Sequence, residues 1–408
     1  MSAATPPQRW LAILGIGEDG VEGLSPAARC LIEAASLVAG GRRHLALAEP
    51  LIHGERLIWP SPLSEAFPII QAHRGRPVVV LASGDPYDYG IGSTLARIAP
   101  IEETFCIPAA PAFSLACARL GWARQEVITL SFCGRALETI RPRLQPGARI
   151  LALSNDRTTP GAIAGLLQRN GFGPSTLHIL EALGGPRERI RKTTASLALP
   201  GDVGQLNLMA IEVAADPDAR IIPLTPGIAD EWFEHDSQIT KREIRAVTLC
   251  ALAPRLGELL WDVGCGSGAI AIEWSLCHPA NRAIAVDARA DRAARAARNA
   301  LSLGVPALRV VTGKAPAALA NLPTPNAVFI GGGAQDGGVL DAAWAALPAG
   351  GRIVVNAVTL ETAAMLIATH HRRGGTLTRL MLERNDTIGG MRSFQPARAI
   401  TQWAAVKP

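Results

Sequence analysis

The sequence predicts an α/β protein in two domains, the second built on a seven-stranded Rossmann-like sheet. Three observations lead there. At 408 residues the chain exceeds one ordinary domain, and two domains of about 200 residues each is the natural division. Apolar residues make up 48% of it, enough for two cores and too many for a disordered chain. From residue 258 onward, short apolar runs alternate with helical stretches in five βα units and close on an antiparallel pair.

In chain order, residues 10–17 read as an apolar strand ending in glycine. A second strand, 77–82, runs into Ser83-Gly84-Asp85-Pro86, and its unbroken Val/Leu run suits burial on both faces of a parallel sheet. The Gly84-Asp85-Pro86 turn can leave a carboxylate at the strand's C-terminal edge, where α/β sheets bind ligands. Most such turns are only turns. Pro108, Pro111 and Ala112 lead into an apolar helix that stops near Gly121. A strand at 149–153, a helix at 160–169 halted by Asn170-Gly171, and apolar runs at 177–180 and 206–213 complete a first domain placed at 1–213. Proline, glycine and charge then cluster over 214–235, as in a linker, while Ile221, Ile222 and Leu224 predict that it packs on a neighbour.

The second domain, 236–408, opens where Thr240 and Glu243 have capping-box spacing, which predicts a helix start at 240. Ile244, Val247 and Leu252 would face inward, leaving Lys241, Arg242 and Arg245 for solvent or an anion. Strands follow at 258–261, 283–286, 308–311, 326–330 and 352–356. Helices lie between them, at 269 onward, 291–303, 340–347 and 360–372. The alternating runs 377–381 and 399–403 close the sheet.

The loop Asp262-Val263-Gly264-Cys265-Gly266-Ser267-Gly268 joins the first of these strands to its helix. Glycines there let backbone N–H groups approach a ligand closely. Gly264, Gly266 and Ala269 also satisfy the dinucleotide spacing, but Asp262 argues against a pyrophosphate and suits an ammonium group. S-adenosylmethionine (SAM) offers one and carries no phosphate. Asp287, about twenty residues past the loop, is placed to grip a ribose diol in either cofactor. Cys265 reads as a small buried residue. Where enzymes that methylate nitrogen need an Asn/Asp-Pro-Pro-aromatic loop, this chain has Ile330-Gly331-Gly332-Gly333, which leaves room for a flat substrate and supplies no base. An ordinary flexible turn reads equally well there.

A formal charge of +5 invites a nucleic-acid reading, but the chain has four lysines, no basic run and 4% aromatics for base stacking. No apolar run reaches membrane length, residues 1–7 lack the form of a signal peptide, and seven scattered cysteines predict reduced thiols in a cytoplasm.

The first domain resembles the tetrapyrrole methylase family, the class III SAM-dependent fold, in its glycine strand, the Gly84-Asp85-Pro86 turn, the 108–120 segment, 183–190 and 207–212. It is most similar to the carbon-5 methylating branch. The resemblance implies two α/β lobes with SAM in the cleft between them, Gly84 and Asp85 flanking it and Pro111 and Ala112 beside it. Family members often carry serine where Pro111 stands. From residue 239 on, the chain resembles the precorrin carbon-15 methylase and decarboxylase family, with a class I methyltransferase fold. The 240–245 helix entry, the 262–268 loop and the triple glycine carry that likeness. It implies Thr240, Gly264, Cys265, Gly266, Ser267, Gly268, Asp287 and Ala315 around SAM. Lys314, Gly331, Gly332 and Gly333 would edge the macrocycle pocket, and Arg242, Arg245 or Lys314 would hold its carboxylates.

Together the resemblances imply methylation of a precorrin-6 macrocycle at carbons 5 and 15. Carbon dioxide would be lost from the ring-C acetate, in cobalamin synthesis. They also imply one SAM per half, no metal, no nucleic acid or membrane, and self-association. No general acid or base is assigned; Asp85 reads better as a turn carboxylate. A tRNA methyltransferase would leave the first half unexplained, and a tetrapyrrole carrier would need only one SAM site or none.

Overall fold

The computed structural model describes residues 9–408; the stretch 1–7 considered above lies outside them. The chain separates into two compact units, one of Met1–Leu137 with Gln145–Arg220, the other of Glu138–Leu144 with Ile221–Pro408.

The first unit holds two five-stranded sheets. One, in the order β3-β2-β4-β1-β5, is parallel throughout: β1 Leu11–Ile16, β2 Leu37–Gly40, β3 Glu55–Ile58, β4 Val78–Ser83 and β5 Thr104–Ile107. Every residue of β1 is buried, and β4 is buried until Ser83, as strands covered on both faces require. The other sheet, β6-β7-β10-β8-β9, is mostly antiparallel: β6 Val127–Ser131, β7 Arg149–Leu153, β8 Thr176–Glu181, β9 Arg189–Thr194 and β10 Asn207–Glu212. Helix α1, Ala112–Leu120, begins at Pro111 and ends on Gly121, whose φ of +67° suits glycine.

The second unit is a seven-stranded sheet in the order β13-β12-β11-β14-β15-β19-β16. Its parallel strands are β11 Leu259–Val263, β12 Arg282–Asp287, β13 Arg309–Thr312, β14 Ala327–Ile330 and β15 Arg352–Ala357. β19, Ile400–Val406, inserts antiparallel between β15 and β16, Thr376–Leu380. Between those last two strands the chain makes an excursion that sequence periodicity did not reveal, the hairpin of β17 Glu383–Ile388 and β18 Met391–Pro396. All twelve strand positions of this hairpin are exposed, so no buried face imprints an alternating pattern.

Helix α2, Arg242–Leu252, starts two residues later than its spacing predicts. Lys241 occupies the cap position with no side-chain cap bond, so the capping box does not form. Its inward face is Ile244, Arg245, Thr248, Leu249 and Leu252; Val247, expected inside, is 40% exposed. The residues expected to act as linker divide between the units: 214–220 belong to the first, and from Ile221 on they fold into this one, where Ile222, Ile228 and Phe233 pack with Ala269, Ile272 and Leu303. Leu224 stays exposed. Helix α3, Ala269–Cys277, follows the glycine loop, and helix α4, Ala290–Ser302, follows β12. No helix among the described residues is long and apolar enough to cross a membrane.

Candidate functional site

In the second unit, a cavity of about 860 Å³ opens at the C-terminal ends of β11, β12 and β14, where a doubly wound sheet reverses its strand order. The glycine loop forms its floor. Gly264, Gly266 and Gly268 have φ of +71°, +55° and +76°, a region that penalises any Cβ. A Cβ on Gly264 would stand 2.8 Å from the Gly332 carbonyl oxygen, so the two glycine loops touch backbone to backbone. Gly268 does not line the cavity. It sits at the cap of α3, where a Cβ would meet Ala296 at 2.9 Å.

The loop's donors point into the protein. Gly264 and Cys265 donate N–H to the Val286 carbonyl at 2.8 and 3.1 Å, Gly266 donates to Asp287 Oδ2 at 2.9 Å, and Gly268 donates to the Cys265 carbonyl. A phosphate cradle needs those N–H groups free. Beside the loop, the side chains are acidic. Asp287 lies at the end of β12, with Oδ1 taking the Arg289 N–H. Asp262 is 1% exposed; Oδ2 accepts the Ala271 N–H at 3.1 Å at the start of α3, and Oδ1 has no partner among the described residues. Burial, with Asp287 beside it, pushes the Asp262 carboxyl up to about 7, against the pull of the Ala271 N–H. An unpaired buried carboxylate oxygen fits a cationic ammonium group and repels an anion. The same burial, with both acids nearby, drives the Cys265 thiol far above its ordinary range, so it is inert packing.

Thr240, Ser267, Lys314, Ala315, Gly331, Gly332 and Gly333 also line this cavity. Lys314 is tied to Asp336 at 3.5 Å. Arg242 and Arg245, expected to hold substrate carboxylates, do not line it. Arg245 is fully buried: Nε meets Glu273 at 2.8 Å, Nη1 meets Asp230 and the Thr240 carbonyl at 2.6 Å, and Nη2 holds the Ile228 carbonyl. Glu273 in turn accepts the N–H groups of Gly227 and Ile228. The cation is spent inside the protein, anchoring the wall that contains Thr240.

The first unit has its own cavity, of about 340 Å³, at the C-terminal ends of β1 and β4. Gly84, Asp85, Pro111 and Ala112 all line it. Gly84 has φ of +54°, and a Cβ there would lie 2.7 Å from Pro111 Cα; a Cβ on Gly15 would strike the Gly84 carbonyl at 1.9 Å. Asp85 Oδ1 accepts the Tyr87 N–H at 2.8 Å, closing its own turn. A cluster invisible in the sequence sits beside it. Arg43 bonds Glu18, Ser83 Oγ (2.6 Å) and His44 Nε2 (2.9 Å), and His44 Nε2 lies 2.8 Å from Ser83 Oγ. A guanidinium can only donate, so Nε2 accepts and the imidazole proton sits on Nδ1. Burial, then Arg43, lowers the His44 pKa to about 4, which keeps the ring neutral.

Comparison with known proteins gives each half of the chain a family. Residues 11–198 match the family of tetrapyrrole (corrin/porphyrin) methylases, and residues 231–407 match a precorrin methyltransferase domain. A precorrin-6Y C(5,15)-methyltransferase [decarboxylating] from Sinorhizobium sp is 53% identical over 98% of this chain and 96% of its own. A cobalt-precorrin-7 C(5)-methyltransferase of Salmonella typhimurium is 34% identical over 44% of this chain and 88% of its own. A probable cobalt-precorrin-6B C(15)-methyltransferase (decarboxylating) of Saccharolobus solfataricus is 38% identical over 34% of this chain and 72% of its own. With two methylase families side by side and a relative matched end to end, the chain belongs to the precorrin-6Y C(5,15)-methyltransferase (decarboxylating) family.

Proposed function

We propose that this methyltransferase adds methyl groups at carbons 5 and 15 of a precorrin-6 macrocycle and removes carbon dioxide from the ring-C acetate, with one SAM site in each half. The unpaired Oδ1 of buried Asp262 carries the reading of the second cavity. SAM supplies an electrophilic methyl group on a cationic sulfur, so the protein need not form a covalent intermediate. Asp262 would balance the ammonium charge and Asp287 would take the ribose hydroxyls. Thr240, Gly264, Cys265, Gly266, Ser267 and Ala315 would enclose the rest, with Gly268 acting one step back through α3. Gly331, Gly332 and Gly333 leave a broad floor for a flat macrocycle. The protein's part is to hold the reacting carbon in line and keep water out.

Two relatives named for single activities, each matching less than half of this chain, support a division of labour. Residues 1–213 would methylate carbon 5, using Gly84, Asp85, Pro111 and Ala112 around their SAM. Residues 236–408 would methylate carbon 15 and decarboxylate, with 214–235 joining them. Calorimetry of the intact chain with SAM should give two binding events. Mass spectrometry of turned-over precorrin-6Y should give two methyl gains and one loss of carbon dioxide. A single SAM site, or methyl gain without carbon dioxide loss, would refute the scheme. Self-association follows from the same resemblance, and sedimentation of the intact chain tests it.

A further inference from the structure

The wall of the second cavity facing the glycine loop comes from the excursion between β16 and β19 and from the end of β15. Leu380, Leu382 and Arg384 line the cavity at every second position, so one face of this extended segment turns inward. Ile400 and Val358 add to the apolar wall, and Val358 is 58% exposed. The short connection from β18 to β19 adds Arg398 to the lining. The hairpin base is closed by the Ala397 N–H on the Leu382 carbonyl at 2.8 Å.

The cations of this cavity are not equivalent. Lys314 faces Asp336, Lys241 faces Asp230 at 3.7 Å, Arg289 is held by Asp291, and Arg292 by Asp236. Arg384 bonds Glu243 of α2, which ties the hairpin to that helix. Arg398 is exposed and has neither an acidic partner nor a hydrogen bond among the described residues. An apolar wall edged by one committed and one uncommitted guanidinium complements a conjugated ring with carboxylates on its rim.

Building on the proposed function, we infer that this wall is the macrocycle platform. Val358, Leu380, Leu382 and Ile400 take the ring face, and Arg398, with Arg384 behind it, holds peripheral carboxylates. The substrate-reading cations are therefore carried by the hairpin excursion, while Arg245 of α2 serves the fold.

Arg398→Ala and Arg398→Lys in the intact chain test this. Methyl gain accompanied by carbon dioxide loss is followed against precorrin-6Y concentration, with SAM affinity measured separately by calorimetry. Arg398→Ala should raise KM for the macrocycle about fivefold or more, leave kcat and SAM affinity near wild type, and weaken the salt dependence of KM. Arg398→Lys should recover part of the loss. An unchanged KM, or a fall in SAM affinity as large as the rise in KM, would overturn the inference. A wild-type chain that turns over no precorrin would instead overturn the underlying function.

Discussion

The two cavities use one backbone device with different side chains set against it. In each, a glycine at positive φ presses a strand-end loop against a second loop, Gly84 against Pro111 and Gly264 against Gly332. The second cavity then presents two buried acids and few free donors, whereas the first presents Arg43, Ser83 and a neutral His44 beside an Asp85 bonded to its own turn. Glycine spacing thus marks where a ligand can approach. The side chains around it decide what charge is welcome.

Removing the principal arginine near each cavity sharpens the contrast most. Arg245→Met leaves the buried Glu273 without its cation and the half-buried Asp230 with only Lys241, and should cost about 3–5 kcal/mol of stability by urea titration of the second unit's transition. Arg43 is one-third exposed, and its buried partner Glu18 keeps Arg187 at 3.4 Å, so Arg43→Met should cost less, about 1 kcal/mol. Equal losses would mean that Arg245 does not anchor the second unit as its bonds indicate. Alanine at the touching glycines comes next. Gly264→Ala must move Gly332, and Gly84→Ala must move Pro111, so each should lower its own methylation about a hundredfold while sparing the other. Product masses separate the two outcomes, and a variant that loses both activities would break the division between halves.

Much of this was legible before the structure. Strands 149–153 and 326–330 and the five βα units follow from runs long enough to be buried, whereas of the linker's apolar residues Ile222 packs inward and Leu224 does not. The Gly84 and Asp262 loops were legible because positive φ and a strand-end acid are local demands. Arg245 was misread because three cations at a helix start look alike in sequence, and only the fold brings Glu273 and Asp230 to one of them. The Arg43–His44–Ser83 cluster joins residues about forty positions apart and repeats no local pattern. The hairpin, exposed on both faces, leaves no hydrophobic period to read.

A subtler contrast is pH dependence. The Asp262 carboxyl is raised to about 7, so the folded chain holds a proton that the unfolded chain has released. Its stabilising share is full below the ordinary carboxylate range and is lost as pH rises through about 7. Asp262→Asn should therefore make the free protein more stable than wild type at pH 8, with the difference shrinking toward pH 4 in thermal scans. The same substitution should weaken SAM binding at the second site about thirtyfold or more and leave the first site unchanged. Wild-type binding at the second site should release a proton at pH 6, seen as a dependence of binding heat on the buffer's ionisation enthalpy. Binding that ignores Asp262→Asn would remove the acid from the site.

The smallest expected effect concerns Pro111, where the related family often carries serine. Pro111 is the cap residue of α1, at φ −73° and ψ 154°, and it provides no side-chain cap bond. Serine at that dihedral could accept an N–H of the helix's first turn, a gain of about 1 kcal/mol. Losing proline's restriction of the unfolded chain takes back about 0.4–1 kcal/mol. Pro111→Ser should therefore shift stability by less than about 0.5 kcal/mol, because two terms of opposite sign nearly cancel. What it can change is the cavity wall, since residue 111 lines the first pocket and serine adds a hydroxyl there. If SAM affinity at the first site stays constant while stability stays flat, the hydroxyl has turned to cap the helix. If affinity rises and stability falls by about 0.4–1 kcal/mol, the hydroxyl faces the ligand instead of the cap, and the proline has been trading a ligand contact for a stiffer chain.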